Sequence, residues 1–332
     1  MVNIEPFELS SEASLNGFYL TVAKNELREI PDHVSAHIIS LKRWMNTMPH
    51  LTCPDDDRIY RAFLRQAKYD HARAEKRMDN FCTLRTSDKM PSSVWFDHPN
   101  LSHPMAEDYL KMGMHIPAGF LNDGTFLFMV RPGVWDPNRL PFAWIFRMAT
   151  MHIDRIIEDP RVQISGIRVM LDMTGVTSAH MNAMNPSKNG KEMIKLFQEG
   201  YPMRVKSFIF YNEPPFMDIV LKILMTWMKP KLKERIIHSK NDIEIACQRV
   251  PGLRKTLPKD YGGDGRSLEE IIREQNAAFR RHYIRPGMWD GMKVDESKRP
   301  DFTKNYMMEY NEGELSATRG TTGTYIALPE ED

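Results

Sequence analysis

The 332-residue sequence has few cysteines, no long apolar run and almost no net charge. Its three cysteines, Cys53, Cys82 and Cys247, lie far apart, which argues against a disulfide framework or a zinc-binding cysteine pair and predicts a reducing compartment. No stretch of about 18 uncharged apolar residues is present, so no membrane-spanning helix is predicted. The formal net charge of +1 creates no overall field that would attract nucleic acid.

The sequence also shows no targeting-peptide pattern at residues 1–14 and no complete catalytic motif. Residues 1–14 have neither the basic start nor the apolar run of a targeting peptide, so we expect a cytoplasmic protein. His33 and His37 have the spacing of a metalloprotease pair, but Val34 replaces the glutamate that the chemistry requires. Asp172 ends a predicted strand without a nucleophile or base nearby in the sequence, which favours a structural hydrogen-bonding role. We predict no catalytic residue, metal or cofactor, and no enzyme.

Methionine, by contrast, is abundant, with 24 residues. Its flexible thioether side chain is typical of irregular apolar cavities, although an ordinary methionine-rich core is the simpler alternative. Residues 1–104 show helical periodicity. From residue 105 onward, apolar strands alternate with helices, a pattern typical of an α/β protein with a mixed, mainly parallel sheet. The predicted strands are 125–131, 166–172, 207–211 and 235–238. The predicted helices are 142–158, 188–198, 216–229 and 267–279, and a capping box of Ser267 and Glu270 is expected to open the last of them.

The predicted helix at 216–229 is apolar on almost every side. Only Asp218, Lys222 and Thr226 form a thin polar stripe. Such a helix is either buried on most sides or in contact with lipid. The sequence leaves both alternatives open: a central core helix, or a lid that covers a cavity with one face and enters a membrane surface with the other.

Two basic pairs flank this helix in the sequence. Arg204 and Lys206 precede the third strand, and Lys231 and Arg235 share one face of a short helix that begins at Pro230. Such pairs are commonly solvated surface charges. Their position at both ends of one amphiphilic helix also favours a recess for phosphate groups.

Several segments, in this order, resemble landmarks of the CRAL-TRIO family of lipid-binding proteins. They are residues 58–69 (RIYRAFLRQAKY), 135–137 (WDP), 166–172 (GIRVMLD), 201–206 (YPMRVK), 212–214 (NEP), 231–235 (KLKER) and 257–263 (LPKDYGG). The resemblance implies the CRAL-TRIO fold, with a helical N-terminal subdomain at 1–104 and a lipid-binding domain at 105–283. The helix at 216–229 would then be the mobile gate of a lipid cavity. Residues 284–332 are expected to form a flexible tail.

The resemblance also implies site residues and a function. The expected phosphoinositide-binding residues are Arg65, Arg204, Lys206, Lys231 and Arg235. The expected lipid-pocket residues are Phe146, Ala149, Ile153, Leu171, Met193, Leu196, Phe197, Phe208, Phe216, Ile219 and Ile223. We expect binding and transfer of a retinoid, tocopherol-like or carotenoid-like lipid, with release at phosphoinositide-containing membranes that the protein meets transiently and peripherally. The alternative is a phospholipid-exchange or lipid-sensing module that presents lipid to a partner protein.

Overall fold

The structure, a computed structural model, describes residues 7–303 and contains helices on both sides of a central sheet. The helices are α1 (Gly17–Val22), α2 (Pro31–Asn46), α3 (Asp57–Ala67), α4 (His71–Thr86), α5 (Pro104–Met112), α6 (Phe142–Ile156), α7 (Pro160–Ser165), α8 (Ser178–Met184), α9 (Pro186–Lys195), α10 (Met217–Met225), α11 (Pro230–Lys233), α12 (Ile243–Arg249), α13 (Leu253–Thr256) and α14 (Leu268–His282). The strands are β1 (Leu51–Thr52), β2 (His115–Phe120), β3 (Phe126–Val130), β4 (Ile167–Asp172), β5 (Val205–Tyr211), β6 (Ile236–His238) and β7 (Lys293–Val294). Two π-helical turns, Ala23–Leu27 and Leu196–Gly200, continue α1 and α9.

The central sheet has the strand order β2-β3-β4-β5-β6. Strands β3 to β6 are parallel, whereas β2 pairs with β3 in the antiparallel direction. This arrangement confirms the predicted mixed, mainly parallel sheet. The sequence patterns did not indicate β2, which contains Pro117 and Gly119 and has an irregular register between them. Both residues are tolerated there because β2 is an edge strand.

Local sequence signals position several helix ends. Ser267 and Glu270 form the predicted capping box at the start of α14, each side chain accepting from the other's backbone N–H. Pro230 occupies the first turn of α11, where its missing N–H costs no hydrogen bond. Helix α10 is shorter than the predicted helix at 216–229. It ends at Met225, and a turn separates it from α11.

The outer face of the central sheet is closely packed. Met129, Met170, Ile209 and Ile237 lie side by side across β3 to β6, and all are buried. They form one apolar cluster with residues of α12, α13 and α14. A ligand would therefore have to bind on the opposite, inner face of the sheet.

Residues 284–303 do not form the predicted tail. Trp289 is fully buried against Phe63 and Phe81, with ring centroids 6.2 and 5.5 Å apart. Arg299 donates to Asp79 at 2.8 Å, and β7 pairs with β1. This segment is therefore part of the helical N-terminal region, because its aromatic ring completes the apolar core there. Residues 304–332 lie outside the described part of the chain.

Candidate functional site

Helix α10 covers the carboxyl ends of β4 and β5. Its buried side chains, Met217, Val220 and Leu221, belong to one apolar cluster with Met173 and Phe210 of the sheet region. The predicted pocket residues Phe216, Ile219 and Ile223 implied a different inner face for this helix, because all of its sides are nearly equally apolar. The contacts with the sheet decide which side is buried.

The outer side of α10 contains two residues that we predicted to line the pocket, Ile219 and Ile223. Ile219 is 64% exposed, since it lies about 200° around the helix from the buried Met217. Ile223 lies toward the same outer side and is partly exposed. In this conformation Ile219 faces solvent, which corrects its assignment to the lining. The exposure of Asp218, Ile219 and Lys222 also excludes a helix buried on every side.

The inner face of the sheet is apolar but incompletely packed. Phe128, Val169, Phe208 and Ile236 lie side by side across β3 to β6. Phe208 and Ile236 keep partial solvent exposure. Because Phe208 has a hydrogen-bonded strand on each side, this exposure must come through the face from which its ring projects. Protein side chains therefore do not completely fill the space over this part of the sheet.

Most of the predicted pocket residues gather at this inner face. One apolar cluster includes seven of them as buried or partly buried members: Phe146 and Ile153 of α6, Leu171 of β4, Met193 of α9, Leu196 and Phe197 of the following turn, and Phe208 of β5. Ala149 is buried one turn before Ile153. Phe216 packs against the cluster that α10 forms and that Leu171 and Phe208 also contact. The ring of Phe197 meets that of Phe208 edge-on, with centroids 6.4 Å apart.

Two further apolar residues of this cluster, Trp227 and Ile236, were missed in the sequence analysis. Ile236 pairs in register with Phe208, a relation that becomes visible only when the strand order is known. Trp227 follows α10 and lies close to Gly190 of α9. A side chain at Gly190 would place its Cβ 2.7 Å from Leu224 and 3.0 Å from Trp227, so glycine permits this close approach.

A basic surface lies at the amino ends of β4 to β6. Arg204 and Lys206 both donate to the Glu26 carboxylate, at 2.5 and 3.0 Å. Arg204 also donates to the backbone carbonyl of Ile164 at 2.5 Å. Burial alone would raise the pKa of Glu26, but hydrogen bonds and charges from Arg204 and Lys206 together lower it. Gly166, at φ +84°, allows this close packing, because a Cβ there would lie 2.2 Å from the Arg204 carbonyl oxygen.

The second predicted basic pair reaches the same surface. Arg235 donates to the backbone carbonyl of Val205, and partial burial together with the charge of Arg204 lowers its pKa. The pKa of Lys68 is also lowered, first by desolvation and then by the charges of Arg204, Lys231 and Arg28. Lys68 and Arg28 are exposed additions to the predicted set. Both have left-handed backbone conformations at helix ends, a signal that sequence periodicity does not provide. These residues are called the basic surface below: Arg28, Lys68, Arg204, Lys206, Lys231 and Arg235.

Arg65 does not belong to the basic surface. It is 1% exposed, and its guanidinium group donates five hydrogen bonds to Glu12, Glu29 and Gln163. These bonds use all five N–H groups of the side chain, so none remains for a phosphate. The prediction of Arg65 as a phosphoinositide ligand is corrected accordingly: this arginine links α3 to the N-terminal turns and to α7.

Comparison with known proteins places these features in a family. Residues 110–263 match the model of the CRAL/TRIO domain, and this range contains the inner face of the sheet, α10 and four residues of the basic surface. The chain contains a CRAL/TRIO domain. Proteins of this family bind and transfer lipids. The match confirms the resemblance that the motifs indicated.

The relatives include proteins whose names refer to lipid transfer. The human alpha-tocopherol transfer protein-like protein is 27% identical over 259 residues, 77% of this chain and 73% of the relative. Human clavesin-2 is 24% identical over 256 residues, 76% of each chain. Among solved structures, that of Sfh5 matches with a TM-score of 0.44 and 12% identity, covering 77% of this chain and 91% of Sfh5.

The structure also bears on membrane-spanning helices, metal sites and the two candidate catalytic residues, His37 and Asp172. Within residues 7–303, no helix combines the length and apolar character needed to cross a bilayer. The same residues hold no group of three or more side chains arranged to bind a metal ion. His37 hydrogen-bonds His71 at 2.8 Å, rather than acting with His33. Asp172 accepts hydrogen bonds from Tyr261 and Thr174, which agrees with the structural role expected for it.

Proposed function

We propose that this protein binds a small hydrophobic lipid between the inner face of its sheet and helices α6, α9 and α10, and transfers it to membranes that contain phosphoinositides. The main support is the partial exposure of Phe208, which lies on an interior strand of the sheet yet is only partly covered by other side chains. An apolar ligand would complete the packing there. Transfer requires no catalytic step.

The energy available to such a site is sufficient to hold an insoluble molecule in water. Burial of ~300–400 Å² of ligand surface at roughly 25 cal/mol per Å² corresponds to ~7–10 kcal/mol before the costs of binding. The flexible side chain of Met193 at the inner face adapts to ligand shape at small cost. The site therefore needs no charged group to retain an apolar molecule.

The polarity of the predicted lining favours an apolar cargo. Ala149 and Ile153, both buried on α6, provide no side-chain hydrogen bond to a ligand. A retinoid, tocopherol-like or carotenoid-like molecule fits such a lining better than a phospholipid, whose headgroup needs polar partners. Phospholipid exchange, or presentation of a phospholipid to a partner protein, is the alternative.

The basic surface provides a physical route from membrane contact to lipid release. Lys231 and Arg235 follow α10 closely in the chain, and Met228 and Leu232 between α10 and Arg235 are buried in the core. Phosphate groups that bind this surface better when α10 is displaced would favour the open state. The exposed Ile219 on the outer side of α10 would enter the bilayer at the same time.

The first experiment identifies the cargo. The purified protein is incubated with a total lipid extract, separated from free lipid, and the bound lipid is analysed by mass spectrometry. Recovery of one class of apolar lipid would support the proposal. Recovery of phospholipids in stoichiometric amounts would favour the alternative, and the absence of any bound lipid would contradict both.

The second experiment tests the membrane step with Lys231→Glu. Each basic residue near an anionic membrane contributes about 1 kcal/mol, so reversal of one charge should lower transfer to phosphoinositide vesicles about 10- to 30-fold. Lipid binding in solution should not change. Lys255→Glu is the matched control, because Lys255 is exposed on α13, which packs on the outer face of the sheet. Equal transfer by both variants would refute the coupling.

A further inference from the structure

The basic surface already forms ion pairs with an acidic side chain of the protein itself, Glu26. The Glu26 carboxylate uses one oxygen, Oε2, to accept from both Arg204 and Lys206. Glu26 remains 44% exposed, whereas the two basic side chains are largely covered. An approaching phosphate group therefore meets this carboxylate on the two cations that it would bind.

The remaining cations of the surface are not neutralised by Glu26 alone. After desolvation, the positive charges of Arg204, Lys231 and Arg28 lower the pKa of Lys68. The charge of Arg204 likewise lowers the pKa of Arg235. Glu234 is a second acidic residue near the cluster, where its charge acts on Arg235. The positive charges of the cluster thus outnumber these two carboxylates. A strong attraction for multiply charged anions remains.

The fold holds Glu26 in this position. Glu26 lies in the π-helical turn between two buried side chains, Ala23 and Leu27. Glu29, three residues further, is fixed by its hydrogen bonds with the buried Arg65. The backbone on both sides of Glu26 is therefore anchored, which places the carboxylate within reach of Arg204 and Lys206. Only rotation of the exposed side chain is needed to remove it.

We propose that Glu26 is a built-in competitor for lipid phosphate and gives the basic surface its preference for phosphomonoester headgroups over singly charged lipids. This inference rests on the proposed binding of phosphoinositide membranes. A phosphodiester with one negative charge exchanges with a carboxylate of equal charge, so its net Coulomb gain is small. A phosphomonoester brings a charge of about −1.5 to −2 and three acceptor oxygens, so it displaces Glu26 with a gain.

Removal of the carboxylate tests this competition. Phosphatidylcholine vesicles are prepared with either phosphatidylinositol 4,5-bisphosphate or phosphatidylserine at equal total charge, and binding is measured by co-sedimentation. We expect Glu26→Gln to bind phosphatidylserine vesicles on the order of 5- to 10-fold more tightly, because two partly exposed ion pairs no longer have to be broken. Binding to the bisphosphate should increase much less. The ratio between the two lipids should fall accordingly.

Glu234→Gln is the matched control, because it removes the same charge near the surface without a hydrogen bond to Arg204 or Lys206. Weaker binding of both lipids by Glu26→Gln would show that Glu26 only positions the two cations, and would overturn the inference. An equal gain from Glu234→Gln would overturn it as well. Titration with soluble inositol 1,4,5-trisphosphate separates the effect of the headgroup from that of the bilayer. For Glu26→Gln we expect the same small gain in affinity as with bisphosphate vesicles, and a loss of affinity would count against competition. If the wild-type protein does not prefer bisphosphate vesicles to phosphatidylcholine alone, the proposed function itself fails.

Discussion

Replacement of Ile219 by glutamate separates membrane contact from lipid binding. Ile219 lies on the outer side of α10, 64% exposed, and contributes little to the packing of the folded protein. Full burial of an isoleucine side chain contributes about 1.5–3 kcal/mol. About two thirds of that is available when this face enters a bilayer, which amounts to about 1–2 kcal/mol. The Ile219→Glu variant loses this contribution and places a negative charge against an anionic surface.

The assay is transfer of a fluorescent lipid from the protein to vesicles that contain phosphoinositides. We expect the transfer rate of Ile219→Glu to fall about 5- to 30-fold. Its free energy of unfolding should change by no more than about 0.5 kcal/mol, as is usual for exposed positions. Ile39→Glu is the control, since Ile39 is 51% exposed on α2, away from α10. Transfer at the wild-type rate by Ile219→Glu, or an equal loss in Ile39→Glu, would refute the assignment of this face.

Two predictions concern stability. Arg65→Ala leaves the Glu29 carboxylate without its arginine partner and Glu12 paired with Arg61 alone. The free energy of unfolding in urea should therefore fall by about 3–5 kcal/mol; a loss below about 1 kcal/mol would contradict this account. Burial lowers the pKa of His98 and of His115 to about 3, and that of His152 well below its usual range. The unfolded chain takes up these protons near pH 6.5 and the folded chain does not, so stability should decrease below pH 6.5 by about 1.4 kcal/mol per pH unit and histidine. His152→Phe removes one of these three histidines and should lower the histidine-linked slope by about a third; an unchanged slope would refute the assignment.

The sequence predicted the local structure because that depends on neighbouring residues. The capping box of Ser267 and Glu270 is a contact within one helical turn, and Pro230 affects only the turn in which it lies. Both features were found where the sequence predicted them. The four apolar strands of the parallel part were recognisable because both of their faces are covered. Strand β2 was missed, since Pro117 and Gly119 interrupt its pattern and only its edge position accommodates them.

The candidate site was predictable in composition but not in orientation. Arg65 and Lys68 lie three residues apart in one motif, yet the first is buried with acidic partners and the second is exposed beside Arg204. Glu12, Glu29 and Glu26 come from segments far away in the chain, so no local pattern indicates which arginine or lysine they bind. Lys68 and Arg28 could be assigned to the basic surface only from three-dimensional contacts.

The sequence by itself determined the positions of the four parallel strands and of several helices, which segments are apolar, and the order of the motifs that indicate a CRAL/TRIO domain. Backbone geometry, capping and hydrophobic periodicity act over a few residues, so the chain encodes them locally. The tertiary structure decided which face of α10 is buried, which cations meet Glu26, and that Trp289 completes the helical core. Burial and charge pairing depend on residues distant in sequence, and only the folded chain brings those residues together.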